Sequence, residues 1–342
     1  MVRAGLNAAP LLECRSIGKR FGGTVALEGV DFDLVAGEIH GVVGSNGAGK
    51  STLMKILAGA LPEHEGTISI DGSRLSLSSP GAALAHGIAM VYQELSGVGQ
   101  LSVAENLFLG RQPCGRFGTI DWRAMNRRAR DFLREMEIDI DVRSRLDRYP
   151  LVVRQMVEIA RGLNSKARVL ILDEPTSSLS PPETGRLFTL LGQLKARGVA
   201  IVFISHFIED VLRICDRVTI LKDGRRVETS PVAELDKHRV VHAMLGRRLE
   251  VEVAGHEQAV DLPARNAAAA LLRVSGLSKR GLFRDINLVV APGECLGLYG
   301  FVGAGHQELA HAIAGAIRPD SGRVDLEGVP IPLGDIHRAV RQ

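Results

Sequence analysis

The sequence predicts an α/β protein. A mostly parallel sheet flanked by helices carries an antiparallel β subdomain and a helical subdomain, and the start of a second such unit follows. Three observations carry this expectation. Short apolar runs at 168–172 and 199–205 have the length of buried parallel strands, and residues 182–197 between them have the spacing of a crossover helix. A glycine-rich loop, G-S-N-G-A-G-K-S, occupies Gly44 to Ser51 between a strand and a helix. The loop returns 256 residues later, from Gly44 to Gly300, as G-F-V-G-A-G-H-Q.

Taken in order, Leu11 to Ile17, Val30 to Val35 and Glu38 to Val43 read as strands, the last running directly into the first loop. Thr52 to Ala60 reads as the helix after it, and Thr67 to Asp71 as a strand ended by the Asp71-Gly72 turn. Ile88 to Tyr92 is a further strand. From there to about Asn164 the apolar spacing becomes helical, with dense charge between Trp122 and Arg134, which predicts a helical insertion over 93–164. Val218 to Leu221 and Arg226 to Glu228 flank Lys222-Asp223-Gly224, a hairpin signal. Periodicity fades after 250, so the first domain is expected at 1–250, a linker at 251–270 and an incomplete second domain at 271–342.

The repeat is wider than the loop. Gly37-Glu38 matches Gly293-Glu294, Gly59 matches Gly315, Gly66 matches Gly322, and Asp71-Gly72 matches Glu327-Gly328, all in one register. Glycines held at a single offset imply duplication of a structural unit. The formal net charge of +3, with acids and bases interspersed, does not argue for nucleic acid and permits docking at a membrane protein. Cys14, Cys114, Cys215 and Cys295 are scattered and read as reduced thiols. No stretch approaches the ~20 apolar residues that span a bilayer. The chain therefore reads as soluble, and at a membrane it would be peripheral.

Gly44 to Ser51 has the composition of a phosphate-binding loop. Gly44, Ser45, Asn46, Gly47, Ala48 and Gly49 would turn backbone N–H groups onto phosphate oxygens, with Lys50 reaching the terminal phosphates and Ser51 ligating Mg²⁺ beside Thr52. The run Val169 to Pro175, V-L-I-L-D-E-P, is a buried strand ending in two carboxylates. Asp173 would hold the Mg²⁺ shell and Glu174 would polarise an attacking water. Gln93, after the strand 88–92, could reach the metal or the water. His206, one strand on from Asp173, could orient the water against the γ-phosphate. Phe21, in K-R-F-G-G, could stack on a base.

Together, Phe21, Gly44 to Thr52, Gln93, Asp173-Glu174, Ser177 to Ser180 and His206 resemble the ABC-transporter ATPase. They match its aromatic loop, Walker A, Q-loop, Walker B, D-loop and switch histidine in order and spacing. Tyr92 to Arg111, Gln155 to Arg161 and the duplication are similar to the double-cassette carbohydrate importers of ribose, galactose and xylose type. The resemblance implies a P-loop NTPase core with ATP and Mg²⁺ as cofactors, coupled to transmembrane permease subunits at the cytoplasmic face of the cell membrane. It also implies a periplasmic or extracellular sugar-binding protein reached through the permease, a possible second ATPase chain, and no nucleic-acid partner. A soluble ABC protein of ribosomes or DNA and a truncated, non-hydrolysing subunit are the competing expectations.

Three departures qualify it. The family's L-S-G-G-Q signature is replaced by Y-P-L-V-V at Tyr149 to Val153. Pro150 offers neither hydroxyl nor N–H, and bulky Leu151 and Val152 would block close backbone approach, so this signature is expected to be inert. The second loop has His306 and Gln307 where Lys and Ser belong, and the sequence reaches Gln342 before any second signature. In the family, cassettes pair head to tail, so the weak loop would face the weak signature. The Gly44 loop would need a signature from elsewhere.

Overall fold

The computed structural model describes residues 9–93, 95–245, 270–300 and 304–339. The chain divides into two compact units, Met1–Gly255 and His256–Gln342. Apart from Ala270, the linker expected at 251–270 lies outside the described residues.

In the first unit, β1 (Leu12–Phe21) turns back into β2 (Thr24–Leu34), and β3 (Ile39–Val43) leaves that pair for the central sheet. After helix α1 (Lys50–Leu57), β4 (Glu65–Ile70) and β5 (Ser73–Leu75) complete an antiparallel sheet of order β2-β1-β4-β5. Helix α2 (Pro80–Ala85) leads into β6 (Ile88–Val91). Helices α3 (Val103–Leu107), α4 (Trp122–Glu135) and α5 (Leu151–Asn164) form the insertion before β7 (Val169–Asp173). Then follow α6 (Pro181–Ala196), β8 (Ala200–Ile204), α7 (Ile208–Ile214), β9 (Arg217–Lys222), β10 (Arg225–Pro231) and α8 (Lys237–Leu245).

The central sheet has order β10-β9-β3-β8-β7-β6, parallel except at the β10 edge. Its strands lack alternation because both faces are covered. Leu170, Leu172, Ile201 and Phe203 enter the core shared with the helical insertion and α6. Val169, Ile171, Val202 and Ile204 enter the opposite core, shared with α1 and the antiparallel sheet. Each such side chain contributes about 1.5–3 kcal/mol on burial, which fixes the strand ends that carry the site.

Helix starts follow their caps. Ser79 accepts from Ala82 N–H at α2, Ser102 and Glu105 form a capping box at α3, and Asp121 accepts from Ala124 N–H at α4. Helix α1 has no side-chain cap. It starts at Lys50 rather than at the expected Thr52, because Gly49 closes the loop in the left-handed conformation at φ 98°.

The second unit repeats the antiparallel sheet. Strands β11 (Leu272–Lys279), β12 (Phe283–Val290), β13 (Ser321–Leu326) and β14 (Val329–Pro330) have order β12-β11-β13-β14, with a helix at His306–Ile313. Register exposes a deletion. Leu12 pairs with Leu34 and Lys19 with Leu27, whereas Leu272 pairs with Val290 and Lys279 with Phe283. The second hairpin is therefore four residues shorter at its tip, where the first carries Phe21. Residues 295–299, which correspond to β3, form no strand, and Tyr299 is 93% exposed.

Candidate functional site

Four adjacent strands of the central sheet bring the site together. In the order β3-β8-β7-β6, their C-terminal ends carry the glycine loop, His206, Asp173-Glu174 and Gln93. Parallel strands separated by crossover helices leave this edge open, which is where α/β sheets bind ligands.

The loop is shaped by close backbone contacts. A Cβ on Gly44 would lie 2.4 Å from the Leu221 carbonyl oxygen. One on Gly49 would lie 2.7 Å from the Ala26 carbonyl oxygen and 2.6 Å from Leu27 Cδ2. The loop is thus clamped between β2 and the β9–β10 hairpin, and Gly224 N–H donates to the Ala48 carbonyl at 3.3 Å. Asn46 and Gly47 are exposed on the loop crest, and Ala48 is buried. Ser51 is exposed on the first turn of α1, with Thr52 half-buried beside it. The α1 N-terminus, free of a side-chain cap, presents backbone N–H groups and the positive end of its dipole to an anion.

Lys50 folds across the loop, its Nζ donating to the carbonyls of Gly44 at 2.7 Å and Ser45 at 3.0 Å. Burial lowers its pKa, and Glu174 and Asp173 oppose that shift by favouring the charged form. Burial, then the Glu174 charge, raises the pKa of Asp173, while Lys50 and Lys55 pull it down. The lysine and the two carboxylates are therefore one electrostatic unit.

Glu174 is the hub. Its backbone sits at φ 48°, a strained region for a residue with a side chain, held by its N–H donating to the Ile204 carbonyl at 2.9 Å. Gln93 Nε2 donates to Glu174 Oε2 at 3.0 Å, and His206 Nδ1 lies 3.3 Å from the same oxygen. The ring of His206 packs on Phe207 with centroids 4.1 Å apart. Two residues that follow separate strands, Gln93 and His206, thus converge on one oxygen of Glu174.

Phe21 is half-exposed at the β1–β2 tip, with Lys19 Nζ 5.4 Å from its ring centre. Ala26 and Leu27 of the same hairpin pack on Gly49. Two supports were named in the sequence only within motif stretches, without a role of their own. Gln155 Nε2 donates to the Pro175 carbonyl at 2.9 Å, and Ser177 Oγ to the Glu174 carbonyl at 3.0 Å, so α5 and the turn after β7 fix the Glu174 backbone. Gln155 lies in the Q-M-V-E-I-A-R run, whose buried polar positions were the available signal.

Pro150 is the N-cap of α5, as its lack of an N–H permits. Val152 is buried in the helical insertion, which corrects the expectation that it would block backbone approach; Leu151 alone of that pair lies exposed. Arg154 is turned inward, donating to the carbonyls of Tyr149 and Asp147. At the second loop, Gly305 has φ 82° and its Cβ would meet the Leu282 carbonyl oxygen, as Gly49 meets Ala26. His306 Nδ1 would lie 3.1 Å from a Cβ on Gly300 and has no hydrogen-bond partner among the described residues.

These features define a nucleotide-binding cassette of the P-loop NTPase fold. Residues 27–177 match the family model described as ABC transporter. It is 42% identical over 339 residues to "Ribose import ATP-binding protein RbsA 2" of Rubrobacter xylanophilus, covering 99% of this chain and 64% of that protein. It is 48% identical over 324 residues to "Ribose import ATP-binding protein RbsA 1" of the same organism, covering 94% and 63%. The chain thus spans less than two thirds of the length of these relatives. Among solved structures, an ATP-binding subunit of an ABC transporter is 27% identical with TM-score 0.54, covering 71% of this chain and 99% of that one. The ADP conformation of the cassette MJ1267 matches in fold, at 21% identity and TM-score 0.61, covering 72% and 100%.

Proposed function

We propose that this chain is the ATP-binding, energy-coupling subunit of an importer for a sugar. The carrying observation is the convergence of Gln93 and His206 on Glu174, at the sheet edge that also holds the Gly44 loop. The likeness to two ribose import proteins supports the substrate class.

ATP would place its phosphates on the loop amides and Lys50, with Phe21 against the base. Glu174 would take the proton of the attacking water, and His206, sharing its oxygen, would orient that water. Ser51, Gln93 and Asp173 offer hydroxyl, amide and carboxylate oxygens, a hard donor set suited to Mg²⁺. Among the described residues no group of three His, Cys, Asp or Glu forms a metal cluster, so phosphate oxygens and water would complete the shell. When bound, Mg²⁺ supplies neutralisation of developing phosphate charge.

Closure around nucleotide would be transmitted through Gln93 and the helical insertion to transmembrane permease subunits, with a sugar-binding protein engaged on the far side. The likeness to import ATP-binding proteins supports a peripheral position at the cytoplasmic face; no helix among the described residues is long and apolar enough to cross a membrane.

Efficient turnover requires a signature this chain does not supply at Pro150. The test is the steady-state Mg·ATPase rate across protein concentration, with Lys50→Ala as control. ATP binding with no turnover above that control is the expected result for the chain alone. Turnover rising faster than linearly with concentration, and abolished by Lys50→Ala, would show that two chains complete a site and that Pro150 does not silence the signature.

A further inference from the structure

A basic, aromatic-tipped surface lies on the helical insertion and includes none of the residues assigned to nucleotide or metal above. Residues 114 to 120 form a small hairpin: Cys114 bridges Ile120, Gly115 N–H donates to the Thr119 carbonyl at 2.8 Å, and Gly118 N–H to the Gly115 carbonyl at 3.1 Å. Phe117 stands at its tip and is 92% exposed. All residues from Cys114 to Arg123 are exposed, including Trp122 at 50%. Helix α4 continues the surface. Met125, Ala129 and Leu133 point inward, which leaves Arg123, Arg127 and Arg128 exposed.

Charge is segregated here. Between Arg111 and Arg130 there are six arginines, at 111, 116, 123, 127, 128 and 130, against one acid, Asp121. That is a net +5 in a chain whose total is +3. Asp121 is occupied as the α4 cap. Arg111, Arg116, Arg123, Arg127 and Arg128 make no ion pair or side-chain hydrogen bond among the described residues, and Arg130 acts electrostatically on Asp141.

We propose that Arg111–Arg130 seats on the surface of an anionic bilayer, with Phe117 at the boundary between headgroups and acyl chains. The pattern fits lipid better than protein. The excess positive charge matches an anionic headgroup surface, and Gly118, Thr119 and Asp121 interrupt Phe117, Ile120 and Trp122, so no continuous apolar run is presented. Unpaired arginines beside aromatic side chains suit headgroup phosphates, which need no fixed geometry. The surface is consistent with the peripheral position proposed above, yet its test needs neither permease nor hydrolysis, so the two can fail separately.

Trp122 is the single tryptophan of the chain, so intrinsic fluorescence reports on this surface without a label. The whole chain would be mixed with phosphatidylcholine vesicles and with vesicles containing about 30% phosphatidylglycerol, enough for an anionic surface potential. A blue shift and co-sedimentation with the anionic vesicles alone, weakening as salt rises, are expected. Phe117→Ala should lower partitioning about tenfold. Arg123→Gln with Arg127→Gln should lower it roughly thirtyfold and flatten the salt dependence. Both variants alter exposed side chains and should keep wild-type Mg·ATP affinity. Absence of binding to anionic vesicles at low salt, or wild-type binding by both variants, would overturn the proposal. So would binding only to neutral vesicles that carry a reconstituted permease, which would assign the surface to a protein.

Discussion

Glu174→Gln is expected to lower single-turnover ATP hydrolysis by about 10²–10³-fold while leaving Mg·ATP affinity within about threefold. The substitution keeps the shape of the side chain and an oxygen for Gln93 Nε2, but removes the basic carboxylate toward which His206 Nδ1 points at 3.3 Å. It also removes one of the two negative charges that hold Lys50 protonated against its burial. Asp173, whose carboxyl is pushed upward first by burial and then by Glu174, would ionise more readily in the variant, so the carboxylate proposed to face Mg²⁺ is retained. Single-turnover rates, measured with a partner that completes the site, separate chemistry from binding. A loss of less than tenfold would mean that another group takes the proton.

The second large effect is at Gly49. A Cβ there meets the Ala26 carbonyl oxygen at 2.7 Å on a backbone of φ 98°. Neither that oxygen nor the left-handed backbone can yield cheaply. Gly49→Ala should therefore open the clamp between β2 and the start of α1, lowering Mg·ATP affinity by at least about 100-fold and stability by about 2–4 kcal/mol in urea titration. Gly47 is the control. Its φ is 82°, but nothing lies within 4 Å of its would-be Cβ, so Gly47→Ala should cost only about 1 kcal/mol of stability. Equal effects at the two positions would contradict the clamp.

The contrast shows which parts of the site were legible. Strand ends and the loop could be read because the central sheet is buried on both faces. Its apolar runs at 169–173 and 200–204 therefore stand out, and the residue after each run must lie at the C-terminal edge. Glu174 was reached in this way, and Gln93 and His206 likewise as the residues after the strands expected at 88–92 and 199–205. The sharing of one Glu174 oxygen was not legible, because it depends on the left-handed turn at Glu174, which no local residue type announces. Contacts far apart in sequence were equally hidden, such as Leu221 against Gly44 and Gln155 against Pro175.

The repeat was visible through its glycines, since Gly59, Gly66, Gly315 and Gly322 all have positive φ, and a Cβ would clash with backbone at Gly59, Gly66 and Gly322 and press on it at Gly315. The missing hairpin tip was not. Only the strand register reveals that the second unit lacks the four residues corresponding to Phe21 through Thr24. The signature region was misjudged in one respect for a similar reason. Size alone does not say which side chain faces outward, and the helical core takes Val152.

The Gly44 loop, and not the Gly300 loop, is expected to hold the nucleotide. The second loop has His306 and Gln307 in place of Lys50 and Ser51, and the aromatic hairpin tip is gone. Titration calorimetry with Mg·ATP tests this most directly. One site per chain is predicted, abolished by Lys50→Ala and unchanged by His306→Ala. Two sites per chain, or loss of binding on His306→Ala with retention in Lys50→Ala, would contradict it.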